Sequence, residues 1–163
     1  MADDEKELLL AHLSGARRHV LAAVHGLGEE QMRQAPLPSD WAPVEAIHHL
    51  ALDDERFWLR AVVGGDEDAQ SALSDNAWIV PPELGVGEVL ELYRREAELG
   101  DAAIRACDLD ARPAWWPRFM GKQFLASNGA VVLHPLTETA AHAGQLDAAR
   151  ELIDGKQWVG LTS

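Results

Sequence analysis

Apolar residues recur at the spacing of an α-helix over four long segments of this chain, and the alternation that is typical of β-strands is nearly absent. The pattern predicts an all-α protein with long helices at about residues 4–26, 43–64, 87–107 and 129–154. Each helix must bury its apolar face against the others, so we expect an up-down four-helix bundle. A chain of 163 residues has the length of one domain, and residues 1–163 are predicted to form it.

The connections between these helices are rich in proline, glycine and polar residues, and we expect them to be irregular. The connection between the third and fourth helices is long, and such connections are often functional. It contains residues that could form a lid over a substrate, namely Trp115, Trp116, Arg118 and Lys122. Gly100 interrupts the periodicity of the third helix. Pro135 lies inside the fourth helix and predicts a kink or a late helix start there, because proline lacks the backbone N–H.

The fourth helix carries two histidines and a carboxylate in the stretch LHPLTETAAHAGQLD. His134, Glu138 and His142 are spaced four residues apart and therefore share one side of the helix. Helical bundles build metal sites from inward-facing side chains on neighbouring helices. Glu138 and His142 border the apolar face, which is compatible with a groove at the bundle edge and equally with a surface pair.

The second helix offers a third ligand, in the stretch WAPVEAIHHLALDDERFW. His48 and His49 are adjacent and point about 100° apart, so at most one of them joins a given site. Periodicity favours His48 as the more inward of the two. The helix continues with three acidic residues, Asp53, Asp54 and Glu55. These form a solvated helix face or else supply a general base, and Arg56 either pairs with one of them or contacts an anionic substrate.

Composition and absent motifs exclude several functions. The net charge of −13 disfavours binding to nucleic acids and to anionic membrane surfaces, and no apolar run reaches the roughly 18 residues of a membrane span. The patterns of zincin metalloproteases, nucleophilic serines and phosphate-binding loops are missing. Cys107 is the only cysteine, so we expect no intrachain disulfide. We expect Cys107 to be a small core residue. With no membrane span and no disulfide, we expect a cytoplasmic location.

Three features of these segments point to a known family. Trp41 and Pro43 lead into the second helix, His49-Leu50-Ala51 is followed by Glu55-Arg56-Phe57-Trp58, and the last helix reads HPLTETAAHAGQLDAARELIDG. With these features the chain resembles the DinB/YfiT-like superfamily over nearly its whole length. Within it, the chain is similar to the branch related to mycothiol-dependent transferases, which includes the N-terminal part of mycothiol-dependent maleylpyruvate isomerase.

The resemblance implies a divalent metal held by one histidine of the second helix and two residues of the last helix. Carried across, these ligands are His49, Glu138 and His142, so the resemblance favours His49 where periodicity favours His48. Such a set leaves a coordination position open, as in catalytic zinc sites and non-haem iron sites. Zinc is expected, and nickel, manganese and iron also suit the ligands. The resemblance further implies a low-molecular-weight thiol such as mycothiol as cosubstrate and a small electrophilic substrate, and we expect a homodimer.

Two departures from the family pattern favour a non-enzymatic protein. Pro135 replaces the usual large apolar residue, and Gln145 stands where close relatives often have histidine. Gln145 could orient the His142 imidazole or could be an exposed polar residue. One alternative is a non-enzymatic helical bundle that dimerises or binds a small apolar ligand. Another is a metal-dependent hydrolase in which bound water is the nucleophile.

Overall fold

Four long helices carry most of the chain in the computed structural model, which describes residues 2–158. The helices are α1 (Ala2–Val24), α2 (Glu29–Met32), α3 (Pro43–His49, continued by Leu50–Val63), α4 (Glu67–Ser71), α5 (Val86–Ala106) and α6 (Asn128–Asp154), with a 3₁₀ turn at Arg118–Met120. The part of the chain described contains no strand, so the all-α prediction is confirmed. No helix among residues 2–158 is long and apolar enough to cross a membrane.

The four long helices begin and end within two residues of their predicted limits, whereas the short helices were not predicted. α4 lies in a segment that was expected to be irregular, and the Asp66 side chain caps it by accepting a hydrogen bond from the Ala69 N–H. The connection between α5 and α6 is long, as predicted, and holds only the 3₁₀ turn.

The bundle is arranged so that consecutive long helices are not always neighbours. α1 packs mainly against α6, and α3 lies between α5 and α6. The side chains between these helices form two apolar clusters. Val20, Ile47, Leu50, Tyr93 and Leu146 are buried in the first, and Leu13, Leu59, Val62, Ile104 and Val131 in the second. Because α3 and α6 pack side by side, residues of their facing sides can meet in one site.

α3 changes its winding at His49. Pro43 occupies its first turn, where a missing N–H costs nothing, and the Glu45 carboxylate accepts the Ala42 N–H at 2.7 Å. From Leu50 onward the helix is a π-helix with wider turns, and it closes with an i→i+5 bond from the Gly64 N–H to the Leu59 carbonyl. In this part of α3, from Leu50 to Val63, a period of 3.6 residues therefore does not predict which side chains face the core.

α6 runs unbroken from one capped end to the other. The Ser127 hydroxyl accepts the Ala130 N–H at 3.3 Å, and Gly155 ends the helix in the left-handed conformation with φ 73°. Pro135 lies inside the helix, so a late helix start at this residue is wrong. The proline is buried, as is Val131 in the turn before it, and proline removes one backbone hydrogen bond at this point.

Buried ion pairs connect three of the long helices. Arg17 of α1 donates to both carboxylate oxygens of Glu55 on α3, at 2.7 and 2.6 Å, and also to Asp101 on α5. Arg56 and Arg60 of α3 both donate to Glu96 of α5. The prediction of a solvated acidic face is therefore wrong for Glu55, which is fully buried, and Arg56 pairs with α5 instead of its own helix.

Gly100 does not interrupt α5 but allows α3 to approach it closely. A Cβ at this position would lie 2.8 Å from Glu55 Oε2 and 3.0 Å from Leu59 Cδ1. Glu55 cannot move away freely, since Arg17 holds both of its oxygens. The absence of a side chain at Gly100 is therefore part of the packing between α3 and α5.

Replacing Gly100 with alanine is expected to destabilise the protein by about 1–3 kcal/mol, because overpacking displaces Glu55 from its ion pair. Gly144→Ala is the matched control, since Gly144 lies inside α6 with nothing within 4 Å of an added Cβ. That change is expected to stabilise by roughly 0.5–1 kcal/mol. Urea unfolding measures both. An equal gain from the two substitutions would contradict the close contact at Gly100.

Candidate metal centre

Two histidines and a glutamate from α3 and α6 meet at the edge of the bundle. His49, Glu138 and His142 each offer one ligand atom, and these atoms all lie within 4.8 Å of one another. Glu138 and His142 are one turn apart on α6, with 3.8 Å between Oε2 and Nε2. His142 is buried, whereas Glu138 keeps 43% of its side chain exposed. The structure thus brings together the three residues that the resemblance selected.

The adjacent histidines of α3 have different partners. His48 is buried, as periodicity predicted, but its Nδ1 contacts the Ala77 carbonyl at 2.6 Å and it is not part of the cluster. A carbonyl only accepts, so Nδ1 of His48 carries the proton. This hydrogen bond anchors the connection between α4 and α5 against α3.

Asp53 orients the His49 imidazole. The His49 Nδ1 lies 2.9 Å from the Asp53 carboxylate, one helical turn further along. A carboxylate accepts this bond, which places the proton on Nδ1 and leaves the lone pair of Nε2 available as a ligand. The sequence contains the signal for this contact, a histidine and an aspartate four residues apart, although the run of acidic residues around Asp53 predicts only a solvated face or a general base.

Trp78 packs against both histidines of the cluster. Its ring stacks on His49 with 4.3 Å between centroids and meets the edge of His142 at 5.5 Å. Trp78 directly follows Ala77, so the hydrogen bond of His48 holds this tryptophan in place. Sequence reasoning missed Trp78, because it lies in a connection whose path only the folded structure defines.

His142 is poised as a neutral imidazole. Burial lowers its pKa, the nearness of the His49 imidazole lowers it further, and Gln145 and Glu138 offset part of this effect. Its Nδ1 is buried and makes no hydrogen bond among the residues described. Gln145 itself is exposed. A neutral imidazole with an open lone pair is the form that binds a metal ion.

These residues fit a divalent metal ion. Two imidazoles and one carboxylate are the donor types of open, catalytic zinc sites, and the same set suits iron, nickel and manganese. Ligands of a tetrahedral zinc lie about 3.3 Å apart, given bonds of about 2.0–2.2 Å. The ligand atoms lie at most 4.8 Å apart, so small side-chain rotations suffice to reach that spacing.

A cavity of about 350 Å³ opens beside the cluster. It is lined by His49, Leu52, Asp53, Asp54, Phe57, Trp58, Leu73, Ser74, Phe119, Met120, His134 and Glu138. None of the four residues of the predicted lid lines it. Trp115 and Trp116 pack against the second apolar cluster, and Arg118 and Lys122 are exposed. Two neighbours in the same connection, Phe119 and Met120, line the cavity instead.

Asp54 is a buried carboxyl group in the wall of this cavity. It is 2% exposed, and the Thr139 hydroxyl donates to its Oδ2 at 3.3 Å. Burial raises the pKa of Asp54 well above its usual range, and the charges of Glu55 and Glu138 raise it further. The prediction of a solvated face is therefore wrong for Asp54 as well.

The pKa of Asp54 predicts how stability changes with pH. Above the usual pKa of about 3.9 the unfolded chain loses this proton while the folded chain keeps it. The stability of the metal-free protein should therefore fall with rising pH through this group, by up to about 1.4 kcal/mol per pH unit, until its folded pKa is reached. Asp54→Asn should remove this slope and be the more stable protein at neutral pH. Urea unfolding between pH 4 and 8 measures the stability of both proteins. If the stability of the two proteins changed equally with pH, the raised pKa of Asp54 would be contradicted.

Cys107 is not a nucleophile of this site. Its Sγ lies 3.3 Å from the Ile104 carbonyl, to which it donates, and the side chain packs against the second apolar cluster. Burial raises the pKa of its thiol. A protonated, partly buried thiol is unreactive, so a sulfur nucleophile at the cavity would have to come from another molecule.

Comparison with known proteins identifies a family. A protein-family model described as MST, Mycothiol-S-transferase, matches residues 8–155, which include all three residues of the cluster. No curated protein and no solved structure gives a significant match to the chain.

Proposed function

The chain belongs to the mycothiol-S-transferase family, and we propose that it is a metal-dependent transferase that joins a low-molecular-weight thiol to a small electrophile. The observation that carries this proposal is the meeting of two imidazoles and a carboxylate beside a cavity. The family match supports the thiol, and the cavity supports a small-molecule substrate.

The residues that would hold the metal are His49, Glu138 and His142, with zinc as the expected ion. A divalent ion at this position supplies Lewis acidity, which lowers the pKa of a bound thiol and makes a nucleophile available at neutral pH. The chain itself contributes no thiol to the cavity, since Cys107 is protonated and packed elsewhere.

The other residues of the site position groups and exclude water. Asp53 fixes the tautomer and the orientation of His49. Trp78 covers one face of the same ring, and its contact with His142 keeps the two imidazoles together. The apolar side chains of the cavity wall, among them Phe57 and Trp58, keep water away from the reacting groups.

Asp53→Asn is expected to weaken zinc binding by about 10–100-fold, because the amide no longer accepts as strongly from His49 Nδ1. The side chain is 42% exposed, so folding should be unaffected. Glu98→Gln removes an exposed carboxylate of α5 and is the control. Competition with a zinc chelator measures both affinities, and an unchanged affinity in Asp53→Asn would remove Asp53 from the site.

A conjugation assay tests the proposed function. Zinc-loaded protein is mixed with mycothiol and 1-chloro-2,4-dinitrobenzene, in which a C–S bond forms, the C–Cl bond breaks, and chloride and the thiol proton are released. We expect conjugate only when protein, metal and thiol are all present.

Two other outcomes would contradict the proposal in different ways. A hydrolysed product that forms without thiol would identify a metal-dependent hydrolase. If no product formed and zinc, nickel and manganese left the melting temperature unchanged, the protein would be a non-enzymatic bundle. A ligand that binds the native state must raise its stability.

A further inference from the structure

We infer that the cavity beside the cluster accepts a small aromatic molecule that is uncharged or cationic, and that it rejects anions. As a description of the electrophile, this inference rests on the proposed transferase function. As a statement about binding, it rests on the cavity alone.

The walls of the cavity are suited to a flat ring. Phe57, Trp58 and Phe119 line it together with leucine and methionine side chains. Its volume of about 350 Å³ is at the small end of ligand pockets, which hold molecules of one or two rings. Aromatic walls of this kind bind a ring by offset or edge contacts.

Phe119 is the residue that would cover such a ring. It lies in the 3₁₀ turn, with 75% of its surface exposed, although its ring is 6.1 Å from that of Phe57. Exposed large apolar side chains at the rim of a pocket commonly mark binding sites. A ring that enters the cavity would bury Phe119 without requiring any change in the helices.

The charges of the cavity exclude anions. Three carboxyl groups line it, from Asp53, Asp54 and Glu138, and no lysine or arginine does. Asp54 keeps its proton, so the negative charge comes from Asp53 and Glu138. The arginines that follow on α3 are already paired, since Arg56 and Arg60 both donate to Glu96. An anion that entered would meet repulsion without a counter-charge.

The overall charge of the chain acts in the same direction. At −13 it concentrates cations near the surface and repels anions. The balance near the cluster stays negative with a divalent ion and a thiolate in place, because Asp53, Glu138 and the thiolate carry three negative charges against two positive ones. The preference for neutral and cationic molecules is therefore expected both without metal and with metal and thiolate bound together.

Binding of three matched ligands tests this inference. Protein treated with a chelator is titrated with 2-phenylethylamine, 2-phenylethanol and phenylacetate at pH 7, and dissociation constants are measured by NMR. We expect the amine and the alcohol to bind at least about tenfold more tightly than phenylacetate. Equal or tighter binding of phenylacetate would overturn the charge selection, and no binding of any ligand would overturn the assignment of the cavity.

Two pairs of variants assign the selection to particular residues. Phe119→Ala should weaken the binding of the amine and of the alcohol by about tenfold. Phe124 is another exposed phenylalanine of the same connection, but it does not line the cavity, so Phe124→Ala should leave both affinities unchanged. Asp53→Asn should narrow the ratio of amine to phenylacetate affinity, whereas Glu98→Gln should leave it unchanged. An unchanged affinity in Phe119→Ala would show that Phe119 does not cover the ring. An unchanged affinity ratio in Asp53→Asn would show that Asp53 does not select against anions.

These titrations contain neither metal nor thiol, so their outcome is separate from that of the conjugation assay. Selective binding of the amine and the alcohol in a protein without transferase activity would leave the cavity assignment standing and reject the reaction. Conjugation by a protein that lacks this binding selectivity would support the reaction and reject the cavity assignment.

Discussion

Replacing His142 with alanine is expected to abolish metal binding and any activity of the protein. His142 is the buried member of the cluster, and its loss leaves one imidazole and a half-exposed carboxylate, which are too few ligands for a tight site. Zinc at about 1,000 times its dissociation constant stabilises the native state by about 4 kcal/mol. The variant should lose this stabilisation entirely while folding normally without metal.

His134→Ala provides the matched control. His134 lies on the same helix, one turn before Glu138, and lines the cavity, but it is not part of the cluster. Its replacement should leave zinc-dependent stabilisation unchanged. Thermal unfolding with and without zinc compares the two variants. If zinc stabilised His142→Ala as much as it stabilises the wild-type protein, His142 would not be a metal ligand.

Replacing Arg17 with methionine is expected to destabilise the protein by about 3–5 kcal/mol. The substitution removes the only counter-charge that directly contacts Glu55 among the residues described, and Glu55 is fully buried. An unpaired buried charge of this kind costs far more than the ion pair itself contributes. The loss should shrink at low pH, because burial already raises the pKa of Glu55 and a protonated Glu55 needs no counter-charge.

A double variant and a surface variant complete this test. Arg17→Met combined with Glu55→Gln should recover part of the stability, because it removes the buried charge as well. Arg94→Met breaks the exposed pair of Arg94 with Glu91 and should change stability by less than about 1 kcal/mol. Similar losses from Arg17→Met and Arg94→Met in urea unfolding would contradict a buried network between α1 and α3.

The long helices could be predicted from the sequence because their signals are local. Apolar spacing, the Ser127 cap and the terminal Gly155 predict α6 almost to the residue, since each depends on neighbours in the chain. The grouping of His49 with Glu138 and His142 followed from resemblance alone. Periodicity favoured His48, which is indeed buried but points to a backbone carbonyl.

The residues that the sequence did not reveal depend on winding and on tertiary contacts. Asp54 and Glu55 belong to the π-helical half of α3, where a period of 3.6 residues no longer describes which side faces the core. Trp78 and Phe119 lie in connections, whose path is set by contacts distant in sequence, such as the bond from His48 to Ala77. No local pattern predicts that these two rings border the same site.

X-ray absorption spectroscopy on untagged, zinc-loaded protein tests the metal centre most directly. We expect about one zinc per chain, with nitrogen and oxygen neighbours at about 2.0–2.1 Å and the multiple scattering of two imidazoles. His49→Ala should contain no zinc, because it leaves only one imidazole and one carboxylate, as His142→Ala does. A sulfur neighbour at about 2.3 Å, or a zinc without imidazole scattering, would contradict a centre built from His49, Glu138 and His142.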